Sequence, residues 1–370
     1  MNITLGLDGI IAAKSSITLL DDEMIRYRGY RLDDLADNAT FEEIIYLLWY
    51  GELPTTAEYA VFKDELKKHC NLSENIVTLM KLLPKNADFI DVMRVIISIS
   101  ALYNTEIEDF SHEANLKKAT FLMAQISPIV ATLHRVRNNL EPIRANPHLG
   151  YAANFLYMLS GKEPDELAEK AFDQSLILHA DHELNASTFT ARVTVSTLSD
   201  MHSGVIAAMG ALKGSLHGGA NEQVMLMLEE IGEQANIKPY IDNKLEKGEK
   251  IMGIGHRVYK NGDPRTSHLK EVAYKIAEQN NNMECYNLSC NIADYVYEKK
   301  GLLPNVDFYS ATLYYYLGLS TDLFTPIFII SRMSGWTAHI MEQYENNRLI
   351  RPRAEYLGPA DRRYIPIESR

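Results

Sequence analysis

The chain has 370 residues, 46% of them hydrophobic, and 37 basic against 49 acidic residues give a formal charge of −12 at pH 7. That length exceeds one compact core, so two domains are expected, and the acidic balance excludes general nucleic-acid affinity. Cys70, Cys285 and Cys290 form no disulfide framework and no CxxC pair, which suits a reducing compartment and excludes a structural zinc of that type. The opening residues Met1 to Asp8 carry no basic run ahead of their apolar residues. They read as neither a secretory signal nor a mitochondrial presequence, so a cytoplasmic protein is expected. Short extended segments follow at Ile17 to Leu20 and Ile25 to Arg28, the second alternating apolar and charged.

From there the pattern is helical. Thr40 and Glu43 form a capping box ahead of the apolar face Phe41, Ile44, Ile45 and Leu48, and Gly51 ends that helix. Thr55 with Glu58 opens a helix toward Lys68. Asp88 caps one through Tyr103, another runs from Ala114 to Arg137, and Pro164 opens a helix reaching His179. The apolar stretch Met201 to Leu212 is too short to span a bilayer and reads as a buried helix. Stripes at Val224, Met227, Leu228 and Ile231, and at Leu269, Val272, Ala273, Ile276 and Ala277, predict further helices. Leu323 to Tyr344 predicts a long buried helix interrupted near Pro326 and Gly335. The expected class is all-α with short N-terminal strands. Breakers at Lys213 to Asn221 and Tyr316 to Pro326 bracket a segment of about a hundred residues, a small-domain size. The plan is a large helical domain from 1–216 and 321–370, with a smaller domain, 217–320, inserted.

Four polar islands interrupt this apolar frame. Leu216-His217-Gly218-Gly219-Ala220-Asn221 places His217 just before a helix, where the dipole disfavours imidazolium. A neutral imidazole there either donates to a developing enolate oxygen or is a loop histidine beside a hinge. Gly253-Ile254-Gly255-His256 lets backbone approach a flat ring or a pantetheine arm, and a lone GxG is weak for phosphate. Downstream, Asp263 and Pro264 explain themselves as a helix start, leaving Arg265 free to pair with a carboxylate. In Pro304-Asn305-Val306-Asp307 the aspartate is either an N-cap or a general base. His179 and His182 flank Asp181, with weak zinc spacing, and binding of a ligand at the helix end is favoured; Asn185 or Ser187 caps the next helix. Arg332 inside an apolar helix needs either an internal salt bridge or a bound carboxylate. With Arg265 and Arg351 it supplies enough cations for a small polycarboxylate.

These islands, in order, resemble those of the citrate synthase and 2-methylcitrate synthase family, especially its shorter bacterial members. The matching stretches are Leu178 to Thr188, His217 to Glu222, Gly255 to Tyr259, Asp263 to Arg265, Pro304 to Ser310 and Arg351 to Arg353. The resemblance implies an acyltransferase that condenses acetyl-CoA with oxaloacetate and hydrolyses the thioester to citrate and CoA, or alternatively uses propionyl-CoA. It implies that Asp307 removes the methyl proton, His217 stabilises the enol oxygen, and His256 polarises and protonates the ketone oxygen of oxaloacetate. His182, Arg265 and Arg332 would hold the dicarboxylate, and Arg351 would reach the neighbouring site of a homodimer. Coenzyme A, a co-substrate and not a resident cofactor, would lie along Ile251, Met252, Gly253 and Gly255, with Lys260 and Asn305 nearby, on the mobile small domain. No metal is implied, and neither nucleic acid nor a membrane is an expected partner. Ala180-Asp181-His182 stands where 2-methylcitrate synthases often carry Ala-Glu-His, which leans toward citrate. Two other classes remain open from the residues alone: a metal-dependent hydrolase using His179, His182, His217 and His256, and a non-catalytic helical interaction protein.

Overall fold

A computed structural model describes residues 5–7, 9–21, 24–214, 216–256 and 258–370. Most of the opening segment Met1 to Asp8, and Arg257 of the third island, lie outside these residues. A small antiparallel sheet opens the fold: β1 Thr18–Leu20, β2 Ile25–Tyr27 and β3 Tyr30–Arg31, with Thr18 opposite Tyr27. The first half continues with α1 Leu32–Asn38, α2 Phe41–Tyr50, α3 Thr56–His69, α4 Glu74–Leu82, α5 Phe89–Ala101, α6 His112–Arg137, α7 Tyr151–Ser160 and α8 Glu166–His179. The second half adds α9 Ala186–Val195, α10 Met201–Leu212, α11 Ala220–Ile231, α12 Ile237–Glu246, α13 Arg265–Gln279, α14 Glu284–Lys300, α15 Val306–Tyr316 and α16 Phe324–Glu345. The expected all-α class with short N-terminal strands is what forms.

The local chemistry accounts for most helix ends. Both capping boxes are complete: Thr40 with Glu43 opens α2, and Thr55 with Glu58 opens α3. Gly51 closes α2 at φ 90°, a left-handed value that favours glycine. The helix reaching His179 starts later than Pro164 suggests, because the Asp165 carboxylate accepts from Ala168 N–H and caps it. Helices α1, α4, α7, α12 and α14 are not among those the sequence patterns predict. On α14 the buried stripe is Cys285, Leu288, Ser289, Ile292, Ala293 and Val296, which mixes small and polar residues.

The expected interruptions of the last long helix do not occur. Pro326 lies in the first turn of α16, where no intrahelical N–H partner is lost. Gly335 lies mid-helix because α16 crosses the turn after α8 closely. A Cβ there would stand 2.5 Å from Ala180 O and 2.5 Å from Asp181 Oδ1. Gly335→Ala is therefore expected to destabilise the fold by about 1–3 kcal/mol, seen as a lower Tm in thermal denaturation. An unchanged Tm would show that the helix can shift without penalty.

Two packing centres result. Helix α16 packs against α2, α6, α8, α9 and α10, and nearly all of it is buried. Helix α15 packs against α11, α13 and α14. Contacts between the groups include the Tyr314 hydroxyl 2.7 Å from Ser175 Oγ, and His268 between Asp33 and Asp37 at 3.0 and 3.3 Å. No helix among the described residues is long and apolar enough to cross a membrane.

Candidate active site

His179 is the last residue of α8, and the turn that leads on to α9 carries Asp181 and His182. Asn185, not Ser187, caps α9, accepting from Thr188 N–H at 3.1 Å. His182 Nε2 lies 3.0 Å from the Tyr259 hydroxyl. Its ring is 5.5 Å from His256 and 5.7 Å from Tyr259, centroid to centroid, while His256 stacks on Tyr259 at 4.6 Å. His256 Nδ1 accepts from the Val258 and Tyr259 amides at 3.0 and 3.2 Å. An imidazole accepting at Nδ1 carries its proton on Nε2, so His256 presents an N–H donor. Burial, followed by the Arg265 charge, lowers its pKa.

His217 is oriented by the start of α9. The Ser187 N–H donates to His217 Nε2 at 3.2 Å, and Ser187 Oγ lies 2.8 Å away. Nε2 therefore accepts, and the proton resides on Nδ1. Ser187 Oγ is itself held by Trp336 Nε1 at 3.1 Å and Asn185 Oδ1 at 2.7 Å. Burial, with Arg332 adding, pushes the His217 pKa down to about 4. The ring is neutral at physiological pH, as its place before α11 suggests.

The loop ahead of α15 pairs with the loop carrying His256. Ile254 and Pro304 form a β-bridge, Gly255 N donates to Leu303 O at 2.8 Å, and Asn305 N donates to Gly253 O at 2.9 Å. Asn305, not Asp307, caps α15: its Oδ1 accepts from Asp307 N at 3.0 Å, and its Nδ2 donates to Gly255 O at 2.8 Å. The cap alternative for Asp307 thus falls away, and its carboxyl is spared from the helix amides. Desolvation pushes that carboxyl up to about 6, with Arg265 and Arg332 pulling it down and Asp263 adding to the rise.

Arg265 is not free, as a helix start alone would leave it. Asp263 takes it in a bidentate pair, Nε to Oδ1 at 2.8 Å and Nη2 to Oδ2 at 2.7 Å. Both Asp263 oxygens also accept backbone N–H groups, Oδ1 from Arg265 and Oδ2 from Val306, each at 3.1 Å. Asp263 therefore ties the start of α13 to the start of α15. Burial opposes both charges, and each partner overrides it for the other, lowering Asp263 and raising Arg265. Arg332 has no carboxylate within ion-pair distance among the described residues. Its Nε donates to His179 O at 2.8 Å and its guanidinium lies 4.7 Å from the Phe328 ring. Burial pushes it down to about 10, so it remains charged at neutral pH. Its charge registers at His182, His217 and Asp307 alike. His182 is driven well below its ordinary value by burial, then by Arg265 and Arg332.

The remaining expected residues divide. Ile251 and Gly253 are buried, and a Cβ on Gly253 would meet Val224 Cγ2 at 2.5 Å. Met252 is partly buried, Gly255 has φ 81° with open space beside it, and Lys260 is exposed. Arg351 is exposed in the segment after α16. A cavity of ≈ 750 Å³ lies elsewhere, lined by residues including Lys14, Arg192, Glu342 and Arg348. Among the described residues no group of three or more His, Cys, Asp or Glu could hold a metal ion. Sequence reading did not single out Tyr259, Trp336 or His339, and took Ser187 only as a possible cap. The signal available for Trp336 and His339 was polar atoms inside the apolar run of α16.

A buried carboxyl, two histidines with opposite ring nitrogens accepting hydrogen bonds, and two buried guanidiniums make up the candidate site of a chain that the comparisons place among acyltransferase enzymes. The family model "Citrate synthase, C-terminal domain" matches residues 6–353. The chain belongs to the citrate synthase family and has citrate synthase activity. Citrate synthase 2 of Bacillus subtilis is 52% identical over 371 residues, covering 100% of both chains. A 2-methylcitrate synthase of Shewanella oneidensis is 43% identical, covering 99% of this chain and 97% of its own. The citrate synthase of Thermoplasma acidophilum, solved as a ternary complex with carboxymethyl coenzyme A and oxaloacetate, superposes with a TM-score of 0.94. It is 34% identical, and the match covers 100% of each chain.

Proposed function

We propose that Asp307 takes a proton from the methyl group of acetyl-CoA while His217 Nδ1–H donates to the thioester oxygen. A thioester methyl is a weak carbon acid, so one carboxylate deprotonates it only if the developing oxyanion is stabilised at once. The enol carbon then attacks the ketone of oxaloacetate, and His256 Nε2–H gives its proton to the ketone oxygen. Water hydrolyses the resulting thioester, releasing CoA and citrate. His182, Arg265 and Arg332 hold the dicarboxylate. The observation that carries this reading is that Asn305 caps α15 and leaves the buried Asp307 carboxyl uncommitted, on a loop bonded to the loop that bears His256 through Gly255 N–H to Leu303 O and Asn305 N–H to Gly253 O.

Coenzyme A lies along residues 251–255 with Lys260, and Asn305 shapes that loop through its bond to Gly255 O. The packing of α11, α13 and α14 around α15 supports a small domain, 217–320, that moves against the rest, 1–216 and 321–370. Such movement would exclude water until the carbon–carbon bond has formed. The protein acts as a homodimer in which Arg351 reaches the second copy's site. Exposed apolar residues around it, Leu349, Tyr356, Leu357 and Tyr364, favour coverage by that copy. Three free thiols favour a cytoplasmic location.

CoA release with oxaloacetate, compared between acetyl-CoA and propionyl-CoA, tests the substrate. The expected result is higher kcat/KM for acetyl-CoA, by about 10-fold or more for one methylene. A clear preference for propionyl-CoA would assign the chain to the 2-methylcitrate branch, where the 43% identical relative stands.

A further inference from the structure

Three buried polar residues have no part in the chemistry above: Arg192 on α9, His339 on α16 and Asp181 in the turn that presents His182. Asp181 is fully buried. Its Oδ2 accepts from the Thr18 hydroxyl at 2.5 Å and from Glu183 N–H at 3.1 Å, and lies 3.2 Å from His339 Nε2. The other ring nitrogen, His339 Nδ1, lies 2.9 Å from Arg192 Nη1. A guanidinium only donates, so Nδ1 accepts and the ring's proton on Nε2 goes to Asp181. Arg192 is anchored in turn by Glu342 Oε2 at 2.7 Å and Gln343 Oε1 at 3.1 Å.

The chain of donors thus runs from α9 through α16 into the turn. It ends on both sides of His182. Asp181 precedes that histidine, and Glu183, which follows it, has φ 49° and is held by its N–H bond to the Asp181 carboxylate. A non-glycine residue takes that left-handed backbone only where its surroundings fix it. The Tyr27 hydroxyl completes the frame, donating to Asp181 O at 3.0 Å and accepting from Asp181 N at 3.2 Å. Three donors converge on Asp181 Oδ2, from Thr18, Glu183 N–H and His339, while Oδ1 has none among the described residues, and rotating the carboxylate would break all three bonds at once.

We propose that Arg192, His339 and Asp181 are positioning residues that fix the turn 181–183, and with it the aim of His182 at oxaloacetate. The inference rests on the reading of His182 as a dicarboxylate ligand. None of the three touches substrate; they act through the backbone on either side of His182.

Steady-state kinetics of His339→Phe, His339→Gln and Thr18→Val, with His182→Ala alongside, test it. His339→Phe is expected to raise KM for oxaloacetate about tenfold or more, as misplacing a binding group does. KM for acetyl-CoA is expected to stay within about twofold, since the CoA loop lies on other elements. His339→Gln, whose amide can donate to Asp181, should recover most of the loss, and Thr18→Val should raise the oxaloacetate KM by a smaller factor. Folded His339→Phe and Thr18→Val proteins with a lower Tm but an unchanged oxaloacetate KM would overturn the inference and leave a structural role only. If His339→Phe does not fold, Thr18→Val decides by the same criterion. A raised oxaloacetate KM in His182→Ala together with an unchanged one in the other variants would sink the positioning role alone. An unchanged KM in His182→Ala would remove the ligand reading beneath it.

Discussion

Replacing Asp307 with Asn is expected to lower kcat by about 10²–10⁴-fold, the usual contribution of a positioned general base, in a protein that still folds and binds oxaloacetate. The carboxyl lies at about 6 in the folded chain against 3.8 for the free group. Below pH 6 it is protonated and cannot accept the methyl proton, so kcat/KM is expected to fall on the acid side with an apparent pKa near 6. The same shift sets a stability trend of the opposite sense. Because the folded value is the higher one, the folded state binds the extra proton. Its contribution is full below 3.8 and is lost as pH rises through about 6. Asp307→Asn removes that loss, so at pH 8 the variant should be more stable by about 1–3 kcal/mol. An inactive variant with a raised Tm at pH 8 is the expected pair of results. An active variant, or an acid limb absent from the wild-type profile, would remove Asp307 from the role of base.

His217→Ala carries the second large effect, a loss in kcat of about 10²–10³-fold, the usual result of deleting one donor to an oxyanion. Its pKa, pushed down to about 4 by burial and then Arg332, keeps the ring neutral through the working range. No limb of the pH profile above 5 should therefore belong to His217. An enzyme that used imidazolium there would show a basic limb that vanishes in the variant, and that outcome would contradict the neutral donor. Exchange of the acetyl-CoA methyl protons, followed by NMR, separates the two roles. Both variants should lose exchange, since base and oxyanion donor act in one step. Exchange surviving in His217→Ala would place the histidine later in the reaction.

The candidate site was legible as a proposal because its residues come in short runs of unusual composition. His217, His256 and Asp307 each follow breakers that an apolar helix would not otherwise carry. The fold class followed from capping boxes and apolar stripes, which act within a few residues. What sequence could not show were interactions across distance. Asp263 reads as a helix start, and only the folded chain brings Val306 N–H to its second oxygen. Asp307 reads equally as a cap or a base until Asn305 is seen to occupy the cap. Pro326 and Gly335 read as breaks because the rule for them is local, whereas the reason Gly335 is there is the turn at Ala180. His339 and Asp181 are 158 residues apart, and nothing in either neighbourhood announces the other.

The uninterrupted course of α16 has a consequence for heat. Arg332, Trp336 and His339 leave one rod, so their spacing along it is about 1.5 Å per residue and owes nothing to loops. The rod lies in the middle of its bundle and cannot fray while its neighbours persist. Warming that loosens surface segments therefore leaves the relative placement of these three side chains untouched. That placement is lost only when the bundle around α16 comes apart.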